Sequence, residues 1–77
     1  MFLDVSLITP QKILFEGKAK SITFPGEQGV FEILPYHKPF LSLLVSGKVF
    51  IDEKVIFIRR GIVKVISNTV TAILEEG

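Results

Sequence analysis

"GIVKVISNTVTAILEE", residues Gly61 to Glu76, is the stretch that predicts the fold most clearly. Two runs of alternating apolar residues flank Ser67 and Asn68, and Asn tolerates the positive φ that a tight hairpin turn requires. The stretch therefore predicts two antiparallel strands that share one apolar face. The expected partners across this hairpin are Val63 and Val65 on the first strand and Val70 and Ala72 on the second.

The same alternation recurs in both directions along the chain. "KVFIDEKVIFIRRG" predicts another hairpin, which turns near Asp52, and "FLDVSLIT" predicts a strand with Leu3 and Val5 on one face. In "KILFEGKAKSITF" the alternation changes phase near Ser21, which indicates either a bulge or a change of sheet. Many short strands, Gly and Pro turns and no helical stripe predict an all-β sandwich or barrel.

The composition limits the kind of function. The 77 residues form one domain, residues 1–77, and 48% of them are apolar, so we expect part of the apolar surface to meet a partner. The net charge of +1 comes from scattered residues, and we therefore expect no nucleic-acid partner. No apolar run approaches the roughly 20 residues of a membrane span, so we expect no direct membrane insertion, and the start "MFLDVS" does not read as a signal peptide.

Residues with catalytic or metal-binding potential are few. The chain has one His and no Cys, and we interpret His37 as a loop imidazole that bonds to the backbone or to a partner rather than as a catalytic base. The carboxylates show no metal-ligand spacing. "GEQG" at Gly26–Gly29 lacks the Lys and the following helix of a phosphate loop and predicts a tight turn instead. Arg59 and Arg60 are expected to face opposite sides of a strand as separate solvated charges. The residues thus predict no enzyme, no cofactor and no metal site.

A longer segment carries a family resemblance. "ITPQKILFEGKAKSITFPGEQGVFEILPYHKPFLSLL", Ile8 to Leu44, resembles the N-terminal domain of the epsilon subunit of F-type ATP synthases, called delta in mitochondria. The resemblance continues to the final strand and covers essentially the whole chain. The matching positions are Thr9-Pro10, Phe15, Gly17, Pro25-Gly26, Gly29, Phe31, Leu34-Pro35, His37, Pro39 and Leu41.

The resemblance implies both a fold and a function. The implied fold is a ten-stranded β-sandwich. The implied function is that of a non-catalytic rotor subunit in the central stalk, which couples a membrane ring of small proton-carrying subunits to the gamma subunit during ATP synthesis. The implied location is peripheral, on the cytoplasmic face of a bacterial inner membrane or the equivalent organelle face. The alternative left by the residues themselves is a free-standing β-sandwich module that binds a peptide or a sugar; its exposed aromatic cleft is disfavoured by the single Tyr and the absence of Trp.

The resemblance also assigns contact residues. The expected ring-facing tip falls on Gln28, Gly29 and Val30. The expected gamma-facing positions are Thr9, His37, Pro39 and Ser42. Turn geometry for Gly29 and Pro39, and core or capping roles for Thr9 and Ser42, are the alternative interpretations of these residues.

The sequence departs from the family pattern at several positions. The family usually has Gly at the position of Tyr36 and a small residue at Lys38, often Gly at Arg60, and commonly an acidic residue at Val30. The helical hairpin that follows the sandwich in the family, and that can bind ATP, is absent from these residues. We therefore expect no nucleotide binding.

Overall fold

The computed structural model describes residues 1–77 and contains eight β-strands and no α-helix, which confirms the predicted all-β class. It thus contains no helix of the length and apolar character that a membrane span requires. The strands are β1 Leu3–Ile8, β2 Ile13–Ala19, β3 Ile22–Gly26, β4 Gly29–Ile33, β5 Phe40–Leu44, β6 Gly47–Ile51, β7 Lys54–Ile66 and β8 Thr69–Glu76.

The strands form two layers that share β7. One layer has the order β2-β1-β8-β7-β5, and the other is built from β4, β3, β6 and the first half of β7. All neighbouring pairs are antiparallel except β1 and β8, which are parallel. A single pairing between Gly26 of β3 and Leu44 of β5 joins the layers on the other side. The sandwich is therefore bound together along two of its sides.

The strand count is eight where the family resemblance implies ten. The 13-residue strand β7 explains part of the difference, because its first half pairs with β6 and its second half with β5. Its pairing with β8 shifts register between Ile58 and Arg60, where the strand passes from one layer to the other. One continuous strand thus takes the place of two shorter ones.

The phase change near Ser21 is a change of sheet. Strand β2 ends at Ala19 and pairs with β1, whereas β3 begins at Ile22 and pairs with β4, β5 and β6. The two residues between them carry the chain from one layer to the other. Because each strand keeps its own alternation, the apolar residues on both sides of the break point into the same core.

Both predicted hairpins are confirmed. Ile51 pairs with Lys54 around a turn of Asp52 and Glu53, and Ile66 pairs with Thr69 around Ser67 and Asn68. Ser67 and Asn68 have φ of 50° and 63°, as a type I′ turn requires, and this turn matches the twist of the strands it connects. The predicted partners also pair: Val63 with Ala72, and Val65 with Val70.

The core lies between the layers and consists of alternate residues from every strand. Phe24 is its largest side chain and is fully buried. Burial of one such aliphatic or aromatic side chain stabilises a fold by about 1.5–3 kcal/mol. The 16 core residues are Leu3, Val5, Leu7, Ala19, Ile22, Phe24, Ile33, Leu44, Val49, Ile51, Ile58, Val63, Val65, Val70, Ala72 and Leu74.

Asp52 ties the change of sheet to the β6–β7 hairpin. Its carboxylate accepts hydrogen bonds from the backbone N–H of Lys20 at 3.1 Å and of Ser21 at 3.1 Å, and its own N–H donates to the carbonyl of Ser21 at 3.2 Å. Asp52 has a φ of 51°, which Asp tolerates better than most residues because its short side chain bonds locally. This residue fixes the point at which the chain crosses between the layers.

Candidate interaction surfaces

The expected ring-facing tip forms the turn between β3 and β4. Glu27 and Gln28 are the two turn residues, Gly26 pairs with Gly29 across them, and Val30 follows in β4. Gly29 has a φ of 123°, which residues other than glycine rarely adopt. The space around it is open, because no atom would lie within 4 Å of a Cβ at this position. Val30 is 72% exposed. The tip therefore presents a backbone open to close approach and one uncovered aliphatic side chain.

His37 belongs to the loop between β4 and β5. Its Nδ1 lies 2.8 Å from the carbonyl of Lys38, so Nδ1–H is the donor in this bond. Its ring packs edge-on against Phe40 with 5.5 Å between the ring centres, and Phe40 packs on Phe31. These contacts agree with the interpretation of His37 as a loop imidazole bonded to the backbone. Pro39 is exposed beside it.

Ser42 lies in β5 and shares a groove with the tip residues. It is paired with Val63, which is fully buried, so its side chain is directed between the layers. Its hydroxyl donates to the carbonyl of Leu43 at 3.0 Å. A groove of about 400 Å³ between β4 and β5 contains both Ser42 and the tip; its lining residues are Gly26, Glu27, Gln28, Gly29, Val30, Phe31, Phe40, Leu41 and Ser42.

Thr9 caps the turn that follows β1. Its Oγ1 accepts hydrogen bonds from the N–H groups of Gln11 at 3.1 Å and Lys12 at 3.0 Å, and the residue is buried. The capping interpretation of Thr9 therefore holds within the domain. Thr9 and His37 lie at opposite ends of the strands. Thr9 follows Ile8, the last residue of β1, whereas His37 packs against Phe40, the first residue of β5. The predicted gamma-facing residues therefore do not form a single surface, because Thr9 and His37 lie at opposite ends of the domain.

A row of apolar side chains crosses the outer face of the β2-β1-β8-β7-β5 layer. Each member pairs with the next through the sheet register, so all five side chains are on the same face. Four of the five are exposed and Ile8 is half-buried. The row, called the outer row below, consists of Leu43, Ile62, Ile73, Ile8 and Ile13.

Sequence reasoning did not identify the outer row. Its members occupy the solvent-facing parity of their strands, and only the register of four strand pairs aligns them. Lys64 lies on one side of the row and Arg60 and Glu75 lie on the other. An apolar strip with charged borders has the layout of a protein interface, which has an apolar centre and a polar rim.

A smaller apolar patch lies on the outer face of the other layer. Phe50 pairs with Val55, and both are exposed together with Phe57. Lys48 covers part of this patch, since its Nζ lies 5.5 Å from the centre of the Phe57 ring, within the range of a cation–π contact. The patch thus differs from the outer row in having a charged side chain over one of its aromatic rings.

Arg59 and Arg60 are solvated as expected, but the expectation that they are separate charges is wrong. Arg60 Nε donates to Glu75, and Arg59 Nη1 lies 3.6 Å from the same carboxylate. The register shift between Ile58 and Arg60 breaks the regular alternation, so adjacent residues reach one partner. The hydrogen bond from Arg60 lowers the pKa of Glu75. Desolvation raises this pKa by a smaller amount, and the charges of the two guanidinium groups lower it further.

The geometry defines a class of protein. The chain is a closed all-β domain with exposed apolar faces, and the acidic and His side chains include no group of three placed to hold a metal ion. Residues 2–76 match the family described as the ATP synthase delta/epsilon chain, β-sandwich domain. The chain belongs to this family, as the sequence resemblance predicted. The delta/epsilon chain is a non-catalytic subunit of ATP synthase.

Curated relatives agree with this assignment. The chain is 41% identical over 78 residues to the ATP synthase epsilon chain of a Nitratiruptor species, with 95% of this chain and 60% of the relative covered. It is 38% identical over 79 residues to the epsilon chain of Leptospira borgpetersenii serovar Hardjo-bovis, with 97% of this chain and 62% of the relative covered. The chain thus spans about three-fifths of the length of these relatives.

The fold is shared with chains from two mitochondrial enzymes. One belongs to the central stalk and c-ring structure of Tetrahymena thermophila ATP synthase, with a TM-score of 0.79, 19% identity, and 96% of this chain and 63% of that chain covered. The other belongs to the Euglena gracilis ATP synthase structure, with a TM-score of 0.83, 18% identity, and 97% and 51% covered. These likenesses support the β-sandwich fold.

Proposed function

We propose that this domain is part of the rotor of an F-type ATP synthase and couples the gamma subunit to the membrane ring of small proton-carrying subunits. The outer row is the observation that carries this proposal, since it gives the family domain a continuous apolar strip across all five strands of one layer. In this role the domain does no chemistry. It is a peripheral component of the membrane-bound complex, on the cytoplasmic face in a bacterium or the equivalent face in an organelle.

The construction of the sandwich supports a role in transmitting torque. A coupling element must resist shear between its two contact surfaces. Strand β7 belongs to both layers, and the pairing of Gly26 with Leu44 joins the layers on the other side. Relative sliding of the layers would break these backbone hydrogen bonds, so a load applied at one surface is carried to the other.

The outer row is the proposed gamma contact. Two of the predicted gamma-facing residues are next to row members in the chain, since Thr9 follows Ile8 and Ser42 precedes Leu43, but the Thr9 side chain caps its turn and the Ser42 side chain is directed between the layers. The patch around Phe57 is a weaker candidate, since Lys48 covers part of it. His37 and Pro39 would then contact gamma at the start of β5.

Substitution of a row residue by Lys tests the gamma contact. Ile73 is 49% exposed, and Val55 on the opposite layer is 46% exposed, so the two sites are matched in burial. We expect Ile73→Lys to weaken binding of this chain to gamma at least about tenfold, because the charge would be desolvated without a partner. We expect Val55→Lys to leave the affinity unchanged.

Titration of purified gamma with each variant gives the readout, and circular dichroism checks that the sheet remains intact. Loss of binding in Val55→Lys alone would place gamma on the other layer. No binding of the unsubstituted chain to gamma would favour the free-standing interaction module instead.

The tip is the proposed ring contact, made by Gln28, Gly29 and Val30. Val30 is exposed at a turn, so Val30→Arg is expected to change the stability of the domain by less than about 0.5 kcal/mol. In reconstituted enzyme the same substitution is expected to reduce proton-driven ATP synthesis, because the unpaired charge would be desolvated against the ring. Val30→Thr, which keeps the shape without a charge, is the control. Normal synthesis with Val30→Arg would show that the ring contact lies elsewhere.

A further inference from the structure

Strand β2 has one free edge. It pairs only with β1, and β1 is paired on its other side with β8, so β2 is the last strand of its layer. The backbone N–H and C=O groups along the outer edge of β2 therefore have no strand partner, and such an edge can pair with a strand of another chain. Glu16, Gly17 and Lys18, in the second half of this strand, are all exposed.

The charges of β2 are self-complementary about Gly17. If two copies of β2 pair antiparallel with Gly17 opposite Gly17, Glu16 of each copy lies opposite Lys18 of the other, and the two-fold axis produces this ion pair twice. Cross-strand pairs of opposite charge stabilise a sheet, whereas pairs of like charge destabilise it. Moving the register by two residues would place Glu16 opposite Glu16 or Lys18 opposite Lys18. The charges therefore favour one register of self-pairing.

The contacts around Gly17 are compatible with a second strand. Glu16 forms no ion pair within the chain, whereas Lys18 is bonded to Asp4 at 2.8 Å and remains largely exposed. A second copy would supply the ion-pair partner that Glu16 lacks. A Cβ at Gly17 would meet only the ring of Phe15 in its own strand, so nothing from elsewhere in the domain obstructs the approach of another backbone.

Strand β4 is also paired on one side only, but its sequence does not favour self-pairing. Its partner is β3. Glu32 is the only charged residue of β4, so no register of two β4 strands places opposite charges together. A partner for β4 must therefore differ from β4, whereas β2 can pair with its own copy.

We propose that two copies of this chain associate by antiparallel pairing of β2 with β2, with Gly17 at the two-fold axis. The five-stranded layers of both copies then form one continuous sheet. This inference goes beyond the proposed function and does not depend on it, since neither gamma nor the ring takes part. The paired segment is short, from Phe15 to Ala19 in each copy, so we expect weak and reversible association at high micromolar to millimolar concentration.

Charge reversal tests the proposed register. Sedimentation equilibrium of the purified chain should give an apparent mass that rises with concentration above the 8.6 kDa of one copy. Glu16→Lys and Lys18→Glu each replace two attractive contacts by two repulsive ones, so we expect each variant alone to associate at least about tenfold more weakly. An equimolar mixture of the two variants should associate again, because residue 16 of one chain and residue 18 of the other then carry opposite charges.

Glu32→Lys is the matched control. It changes the net charge by the same amount as Glu16→Lys, at an exposed position on β4, and should associate as the unsubstituted chain does. Circular dichroism checks that each variant keeps its sheet. Hydrogen exchange of the unsubstituted chain is a second measurement that needs no variant. Amide N–H groups of β2 should exchange more slowly at high concentration than at low concentration, and those of β4 should not.

Four results would overturn the proposal. The first is an apparent mass of one copy at every concentration up to the millimolar range. The second is equal association of Glu16→Lys and Glu32→Lys. The third is a mixture of Glu16→Lys and Lys18→Glu that associates no more strongly than either variant alone. The fourth is hydrogen exchange in β2 that does not depend on concentration.

Discussion

Replacement of Asp52 by Ala tests the link between the two layers. The substitution removes an acceptor for two backbone N–H groups, those of Lys20 and Ser21. Hydrogen bonds to a charged group contribute about 1.5–3 kcal/mol each, but this carboxylate is exposed and solvent reduces that value. Loss of the two hydrogen bonds is therefore expected to lower the free energy of unfolding by about 1–2 kcal/mol. Ala at a φ of 51° adds about 1 kcal/mol of backbone strain, for a total of about 2–3 kcal/mol.

Thermal unfolding of the purified chain measures this loss. In a domain of this size, 1 kcal/mol corresponds to roughly 4–8 °C in Tm, so Asp52→Ala is expected to lower the Tm by about 8–24 °C. Asp52→Asn keeps one acceptor oxygen and the tolerance for positive φ, and its Tm should fall less. Glu53→Ala, in the same turn and without these bonds, is the control and should change stability by less than about 0.5 kcal/mol. Equal Tm values for Asp52→Ala and Glu53→Ala would refute the account of the crossing.

Three further outcomes follow from the geometry. Gly61→Ala places a Cβ 2.7 Å from the carbonyl oxygen of Ile73, so the strands must shift, and urea unfolding should show a loss of about 1–3 kcal/mol; an unchanged midpoint would contradict the close approach. Arg60 and Arg59 lower the folded-state pKa of Glu75, so the stabilising contribution of this carboxylate is full above its ordinary pKa of 4.5 and is lost as the pH falls through the lower folded value. The Tm of Glu75→Gln should therefore depend less on pH below 4.5 than the Tm of the unsubstituted chain does. Parallel Tm–pH curves for the two chains would contradict this prediction. Calorimetric titration with magnesium-ATP should give no saturable heat, and a micromolar site would reveal a nucleotide-binding surface that we have not recognised.

Local patterns predicted the strands well where one face is buried and the other is solvated. The first strand and both hairpins followed from alternation, and the Ser67-Asn68 turn followed from the tolerance of Asn for positive φ. The order of the strands could not be obtained in this way, because the choice of neighbour depends on contacts between distant segments. Asp52 illustrates this limit, since its partner Lys20 is 32 residues away.

The surfaces were harder to predict than the core. The apolar excess indicated that some surface meets a partner, but the outer row exists only because Leu43, Ile62 and Ile73 are brought into register. The pairing of Arg59 and Arg60 with Glu75 was missed for a related reason, since a register shift overrides the alternation of a regular strand. The sequence indicated the tip correctly as a turn, whereas its contact with the ring remains a prediction.

Site-directed crosslinking in the assembled membrane enzyme tests the central claim most directly. The chain has no Cys, so Val30→Cys and Ile73→Cys each introduce a single thiol, one at the tip and one in the outer row. If the domain couples the ring to gamma, a short thiol-reactive crosslinker should join residue 30 to the ring subunit and residue 73 to gamma. Crosslinks from both positions to the same partner, or to neither gamma nor the ring, would contradict the account.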